Sequence, residues 1–142
     1  MKIMILDDVR LNILRLKEVV QTFGQVDGYQ EIQPGLDALE SAYLGGEPYD
    51  LLLLDITMPE MSGLDVLKRV TRMALTYRSE RKTKVVMVTS HGERDIVMQA
   101  AQLGAVGYIL RPFQPDRIRQ EIQRLLEPEA NSGRDSLGPS VP

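Results

Sequence analysis

The sequence predicts a doubly wound α/β domain, in which parallel strands alternate with helices. Short apolar runs recur along the chain, and each is followed by a segment with apolar residues at helical spacing. The run Leu51 to Leu54 lacks the alternation of a half-exposed strand, which is typical of a parallel sheet covered on both faces. Because the connections are short, we expect right-handed crossovers with helices on both sides of the sheet.

The first strand and helix are predicted at the start of the chain. Ile3 to Leu6 form a short apolar strand that leads into Asp7 and Asp8. Apolar residues then repeat at helical spacing from Leu11 to Phe23, and Gly24 ends the helix.

The second and third units follow the same order. Gln25 to Gln33 is polar enough for an edge strand, and Pro34-Gly35 predicts a break before a second helix from about Leu36 to Leu44. The third strand carries Asp55 at its end. A third helix follows Gly63, and its apolar face contains Leu64, Leu67, Val70 and Ala74.

The fourth and fifth units complete the domain. Val85 to Val88 is a buried strand followed by Thr89, Ser90 and His91, and a helix is predicted from about Glu93 to Leu103. Val106 to Leu110 is the fifth strand and ends at Arg111-Pro112. The last helix starts near Pro115, and its apolar face contains Ile118, Ile122, Leu125 and Leu126.

Composition limits the class of protein. We expect one domain over residues 1–127, and a flexible tail or the start of a linker over 128–142, which is rich in Ser, Gly and Pro. The absence of cysteine excludes disulfides and thiolate metal sites. A net charge of −3 indicates no direct nucleic-acid partner, and no apolar run reaches the ~18 residues of a membrane span. We therefore expect a cytoplasmic protein.

Polar residues follow several of the predicted strands. If the strand order is the flavodoxin-like 2-1-3-4-5, strands one and three are neighbours, and Asp7, Asp8 and Asp55 meet within a few ångströms. Such a group of carboxylates offers only hard oxygen ligands, which favours Mg²⁺ or Mn²⁺. The alternative for each aspartate alone is a helix cap or a solvated loop end, but that alternative does not explain all three together.

The same edge of the sheet is expected to receive donors from strands four and five. Thr89 supplies a hydroxyl and Arg111 a cation, both suited to holding phosphoryl oxygens. A carboxylate, a divalent metal and two donors form a site for an aspartyl phosphate.

These residues resemble those of response-regulator receiver domains from two-component signalling, over Lys2 to about Glu127. The matching segments are Leu6-Asp7-Asp8, Leu54-Asp55-Ile56-Thr57-Met58-Pro59 with Gly63, Val88-Thr89-Ser90, and the stretch from Gly104 to Phe113. The resemblance implies Asp55 as the phosphoacceptor. It implies Asp7, Asp8, Asp55 and the backbone carbonyl of Thr57 as metal ligands, Thr89 and Tyr108 as the switch pair, and a cis peptide before Pro112.

The resemblance also implies partners. The phosphoryl donor would be a histidine kinase or a histidine phosphotransfer protein, and the only catalysis would act on the domain itself. Output is expected through the surface of the fourth helix, fifth strand and fifth helix, toward a protein target or a second copy of the chain.

The chain departs from the family at Arg111, where the family has lysine. Arginine keeps the charge but has a larger, planar and bidentate side chain, so the geometry of the site changes. An alternative function is therefore a degenerate receiver that acts as a constitutive interaction or dimerisation module. A haloacid-dehalogenase-like phosphatase is disfavoured because the position two residues after Asp55 is Thr57 rather than aspartate. A flavodoxin-like electron carrier is disfavoured because Asp7 and Asp8 would repel a flavin phosphate.

The single histidine of the chain, His91, lies two residues after Thr89. A solvent-facing loop histidine is the simpler interpretation. The functional interpretation is that His91 and Thr57 flank the attacking water and set the lifetime of the acyl phosphate.

Overall fold

The computed structural model describes residues 1–90 and 94–127. Its strands are β1 (Lys2–Leu6), β2 (Gln25–Tyr29), β3 (Leu51–Asp55), β4 (Lys84–Ser90) and β5 (Gly107–Arg111). Its helices are α1 (Arg10–Val20), α2 (Ile32–Leu44), α3 (Gly63–Thr76), α4 (Arg94–Gln102) and α5 (Pro115–Leu125), and a 3-10 turn over Gln21–Phe23 extends α1. The predicted tail, residues 128–142, and the predicted start of α4 at Glu93 lie outside the described residues.

Within the described ranges, the strands form one parallel sheet in the order β2-β1-β3-β4-β5. This order confirms the predicted doubly wound fold. Strand β3 lies at the centre, and its residues are all buried, which explains why the run from Leu51 shows no polar alternation. Strand β2 is at one edge, as its polar composition predicted.

The apolar core is divided into two layers by the sheet. One layer packs α2, α3 and α4 against alternate residues of the strands, including Met4, Leu52 and Met87. The other packs α1 and α5 against the intervening residues, including Ile5, Leu53 and Val86. Side chains alternate between the two faces along each strand, so both layers draw on the same short runs.

The predicted start of α2 was wrong. Strand β2 ends at Tyr29 rather than Gln33, and α2 already begins at Ile32, so Pro34 and Gly35 lie inside its first turn. Proline is tolerated there because the first backbone N–H groups of a helix have no intrahelical partner. A Cβ atom at Gly35 would lie 2.9 Å from Leu6 Cδ1. The glycine therefore lets α2 pack closely against β1.

The other boundaries lie close to the predicted ones. Ser62 caps α3 by accepting a hydrogen bond from the Asp65 N–H at 3.2 Å. Gly104 follows α4 with φ of +110°, a conformation that favours glycine. The Arg111–Pro112 peptide bond is cis, as the family resemblance implied. In the described part of the chain, all helices are too short or too polar to cross a lipid bilayer.

Candidate functional site

Three aspartates meet at the carboxyl ends of β1 and β3. The two strands are paired in register, with Leu6 opposite Leu54, so Asp7 and Asp8 leave β1 beside Asp55 at the end of β3. One carboxylate oxygen from each residue lies within 4.8 Å of the corresponding oxygens of the other two. These three residues form the acidic cluster, and their proximity is the arrangement predicted from the strand order.

The acidic cluster is mostly buried. Asp7 is 1% exposed and Asp55 is 2% exposed, whereas Asp8 is more accessible. The N-cap of α1 is Val9, and no side chain caps that helix. Asp7 and Asp55 are therefore neither helix caps nor solvated loop ends, and the simpler interpretation of these two residues is wrong.

Hydrogen bonds orient two of the carboxylates. Asp7 Oδ1 accepts from the Val9 N–H at 2.9 Å and from Asn12 Nδ2 at 3.3 Å. Asp55 Oδ1 accepts from the Thr57 N–H at 3.0 Å and from the Thr57 hydroxyl at 3.2 Å. Asp7 Oδ2 is buried and has no hydrogen-bond partner among the described residues.

Two aspartates of the acidic cluster, Asp7 and Asp8, have raised pKa values. Burial raises the pKa of Asp7 to about 6, helped by the charge of Asp55 and opposed by the hydrogen bond from the Val9 N–H. Burial and the adjacent Asp55 carboxylate also raise the pKa of Asp8. The positive charge near the cluster therefore does not offset its burial and mutual repulsion, and a bound cation would add the missing charge.

The donor set fits Mg²⁺ or Mn²⁺. It contains only carboxylate oxygens, and Asp7 Oδ2 is a buried acceptor without a hydrogen-bond partner among the described residues. Oxygen ligands of one Mg²⁺ ion lie no more than about 4 Å apart, since each Mg–O distance is about 2.1 Å. The oxygens of the acidic cluster lie within 4.8 Å of one another, which is close to that separation.

Arg111 contacts the acidic cluster directly. Its Nη1 lies 3.3 Å from Asp55 Oδ1 and 4.0 Å from Asp7 Oδ2, and its side chain is 21% exposed. Its Nε and Nη2 donate to Ser90 Oγ, each at 3.4 Å. Arginine at this position therefore reaches the same carboxylate that the sequence singled out, and it partly neutralises the charge of the site.

The two predicted switch residues lie on neighbouring strands. Thr89 is fully buried near the end of β4, and its hydroxyl donates to the Ser90 carbonyl oxygen at 3.3 Å. Tyr108 is half-buried on β5 opposite Met87, and it packs against the α2–α3–α4 core layer. Tyr108 also lines an open groove of about 680 Å³ between β5 and α5.

The remaining predicted residues have different outcomes. Thr57 is exposed next to Asp55, and its predicted contact to a metal through the backbone carbonyl stays a prediction. His91 lies outside the described residues, so the proposed role of its side chain stays a prediction.

Two site residues were missed at the level of sequence. Asn12 donates to Asp7, and Ser90 accepts from Arg111. Ser90 follows the predicted site residue Thr89, so the sequence indicated that it lies near the site. Its contact with Arg111 was not predictable, because it depends on which residue of β5 lies opposite Ser90. Asn12 lies on α1, and nothing in its spacing distinguished it from a solvent-facing residue.

Comparison with known proteins identifies similar chains. The sequence model of the response regulator receiver domain family matches residues 3–123. The chain is 31% identical over 125 residues to the chemotaxis protein CheY of Bacillus subtilis, covering 88% of this chain and 97% of that protein. It is 32% identical over 135 residues to the sporulation initiation phosphotransferase F of the same organism, with coverage of 92% and 97%.

Solved structures agree with the fold. The chemotaxis response regulator CheY4 of Vibrio cholerae superposes with a TM-score of 0.73 at 25% identity, over 88% of this chain and 98% of that one. A receiver domain of DrrB described as BeF3-activated superposes with a TM-score of 0.72 at 23% identity, over 89% and 97%.

Proposed function

This chain belongs to the response regulator receiver domain family, and from that premise we propose that it is a phosphorylation-activated switch of a two-component system or phosphorelay. Asp55 accepts a phosphoryl group from a phosphohistidine of a histidine kinase or a histidine phosphotransfer protein. The observation that carries this proposal is the buried acidic cluster around Asp55, with an arginine nitrogen 3.3 Å from its carboxylate.

Asp55 acts as the nucleophile in the proposed transfer. Three donors, two from Thr57 and one from Arg111, already hold Oδ1, so we assign the attack to Oδ2. A bond forms between Oδ2 and phosphorus while the bond between phosphorus and the histidine nitrogen breaks, and its electron pair leaves with the imidazole. The product is an acyl phosphate on Asp55.

The surrounding residues supply charge and orientation. Asp7, Asp8, Asp55 and the Thr57 backbone carbonyl would hold Mg²⁺ or Mn²⁺, which when bound would neutralise negative charge on the phosphoryl oxygens. Arg111 provides a second positive charge from the side of β5. Asn12 and the Val9 N–H orient Asp7 through Oδ1, so Asp7 Oδ2 would be the oxygen available to a bound cation.

Signal output is proposed to follow from Thr89 and Tyr108. Residues 87 and 89 of β4 face the same side of the sheet as residues 108 and 110 of β5, with which they pair. Movement of the Thr89 hydroxyl toward a phosphoryl oxygen would open space for Tyr108 and change the surface formed by α4, β5 and α5. A protein target or a second copy of the chain would read that surface.

Phosphoryl uptake from a small donor tests the proposed acceptor. Wild-type protein incubated with phosphoramidate and Mg²⁺ should gain one phosphoryl group in its intact mass, and Asp55→Asn should gain none. Asp50→Asn is the matched control, because Asp50 lies at the amino-terminal end of β3, away from the acidic cluster. This variant should be labelled like wild type. Labelling of Asp55→Asn would refute Asp55 as the acceptor.

The Arg111 contact also favours the second candidate, a receiver that acts constitutively as an interaction or dimerisation module. In that case the ion pair with Asp55 at 3.3 Å already replaces an activated contact. Beryllofluoride with Mg²⁺ separates the two functions. Backbone amide shifts around Thr89 and Tyr108 support the switch, whereas an unchanged spectrum supports the constitutive module.

A further inference from the structure

Arg111 and Ser90 are cross-strand partners at the carboxyl ends of β5 and β4. Strand β4 separates β5 from β3, so the Arg111 side chain must cross β4 to reach Asp55. Two strand spacings amount to roughly 10 Å, and the residue opposite Arg111 on β4 is Ser90. The contact between Arg111 and Asp55 therefore requires a long side chain at position 111 and a small one at position 90.

Ser90 engages one edge of the guanidinium group. Nε and Nη2 of Arg111 both lie 3.4 Å from Ser90 Oγ, so a single hydroxyl oxygen accepts from both nitrogens of that edge. The nitrogen on the other side, Nη1, lies 3.3 Å from Asp55 Oδ1. Only this nitrogen contacts the acidic cluster, among the contacts that the described residues make.

We propose that Ser90 is a positioning residue for phosphoryl transfer, which orients Arg111 so that Nη1 alone serves the phosphoacceptor. This inference rests on the proposed function of Asp55. A free guanidinium group binds a carboxylate or phosphate through two parallel hydrogen bonds. With its Nε–Nη2 edge held by Ser90, Arg111 instead presents a single nitrogen, as a lysine side chain would.

A double-mutant cycle tests this dependence. The variants are Ser90→Ala, Arg111→Lys and the combination of both, and the readout is the initial rate of phosphoryl uptake from phosphoramidate with Mg²⁺. Loss of a hydrogen bond to a charged group predicts that Ser90→Ala slows uptake about tenfold when residue 111 is arginine. The same change should have less than about a twofold effect when residue 111 is lysine, since lysine has no second edge to hold.

Two controls separate positioning from a general structural effect. Ser41→Ala makes the same chemical change at an exposed position of α2 and should leave the rate unchanged. In ¹⁵N-resolved spectra of metal-free protein, the Arg111 Nε–H should exchange with solvent faster in Ser90→Ala, while the backbone fingerprint away from β4 and β5 stays the same.

The outcomes are distinguishable. If wild-type protein takes up no phosphoryl group, the proposed function fails and the inference fails with it. If wild-type protein is labelled but Ser90→Ala slows uptake equally in the arginine and lysine backgrounds, only the inference is overturned. Unchanged exchange of the Arg111 Nε–H in Ser90→Ala would also overturn it.

Discussion

Aspartates lie at both ends of the β1–β3 strand pair, and their surroundings differ. At the amino-terminal edge, Asp50 accepts from the Lys2 N–H at 2.7 Å and from Arg81 at 2.9 Å. Burial alone would raise the pKa of Asp50, but these hydrogen bonds outweigh it and hold the pKa below its ordinary value. At the carboxyl-terminal edge, burial raises the pKa of Asp7 and leaves one of its oxygens without a hydrogen bond in the described structure.

The difference separates a stabilising site from a site suited to chemistry. Asp50 has donors from the same sheet edge and joins the start of β3 to β1 and to the loop before β4. The acidic cluster is poorly neutralised by the protein itself, which is typical of sites whose binding partner supplies the missing charge. Mutations at the two edges should therefore change stability in opposite directions, and only one edge should respond to metal.

The largest expected effect is the loss of stabilisation by Mg²⁺ on changing Asp8 to Asn. A ligand at 100 times its Kd adds about 2.7 kcal/mol to the free energy of unfolding, and removal of one carboxylate ligand should abolish most of that gain. Urea denaturation with and without Mg²⁺ measures the difference. Asp50→Asn should keep the full response to Mg²⁺, and an equal loss in both variants would contradict the assignment of the metal site to the acidic cluster.

Neutralising Asp7 should stabilise the metal-free protein. At pH 7 the Asp7 carboxylate is ionised in a buried site that favours its protonated form, so Asp7→Asn should raise the free energy of unfolding by about 2 kcal/mol. Asp50→Asn should lower it by about 1 kcal/mol, because an ion pair and part of a hydrogen-bonded contact are lost. The same sign for both variants would show that the two edges do not differ as proposed.

The pH dependence of stability should also distinguish the edges. Between the ordinary pKa of 3.8 and the raised value of about 6, folded Asp7 holds more protons than unfolded Asp7, so metal-free protein loses stability as pH rises. One such group contributes at most about 1.4 kcal/mol per pH unit. Asp50 has the opposite sign, since its lowered pKa stabilises the fold above pH 3.8 and this contribution is lost as pH falls through its folded pKa.

Denaturation curves across the acidic range check these signs. The contribution of Asp7 should disappear in Asp7→Asn and in wild-type protein with saturating Mg²⁺, since a bound cation requires the ionised carboxylate. A stability profile that Asp7→Asn leaves unchanged from pH 4 to 6 would rule out Asp7 as its source.

The smallest effect is expected for Arg81→Gln. The ion pair with Asp50 is more than half exposed on the arginine side, at 57%, so its loss should cost about 0.5 kcal/mol and depend on salt. Phosphoryl uptake and the response to Mg²⁺ should remain at wild-type levels. A change in either would connect the amino-terminal edge to the site.

The sequence pattern predicted most of the fold because each strand is an apolar run with a distinct end. Strands β1, β3 and β4 coincide with the apolar runs, and the aspartates at the carboxyl ends of β1 and β3 meet in the acidic cluster. The start of α2 was mispredicted because Pro34 and Gly35 were interpreted as a break. Helix α2 accommodates Pro34 because the helix starts at Ile32, and it needs Gly35 because Leu6 lies close by. Neither the helix start nor the contact with Leu6 is evident from the local sequence.

The basic segment from Arg78 to Lys84 shows a similar limit. Its charges are typical of a solvated loop, but Arg81 pairs with Asp50 and Thr83 is buried, with its hydroxyl donating to the Tyr49 carbonyl oxygen at 2.7 Å. A local pattern of charge does not reveal which distant carboxylate or carbonyl group will lie within reach.

The sequence by itself determined the parallel α/β fold and the residue types available at each strand end, because apolar runs and helical spacing are local consequences of burial. Tertiary structure decided which of those residues touch. The β2-β1-β3-β4-β5 order brings Asp7 beside Asp55 and places Ser90 between Arg111 and its carboxylate partner. Such contacts depend on strand order and register, which join residues far apart in the chain and leave no trace in local periodicity.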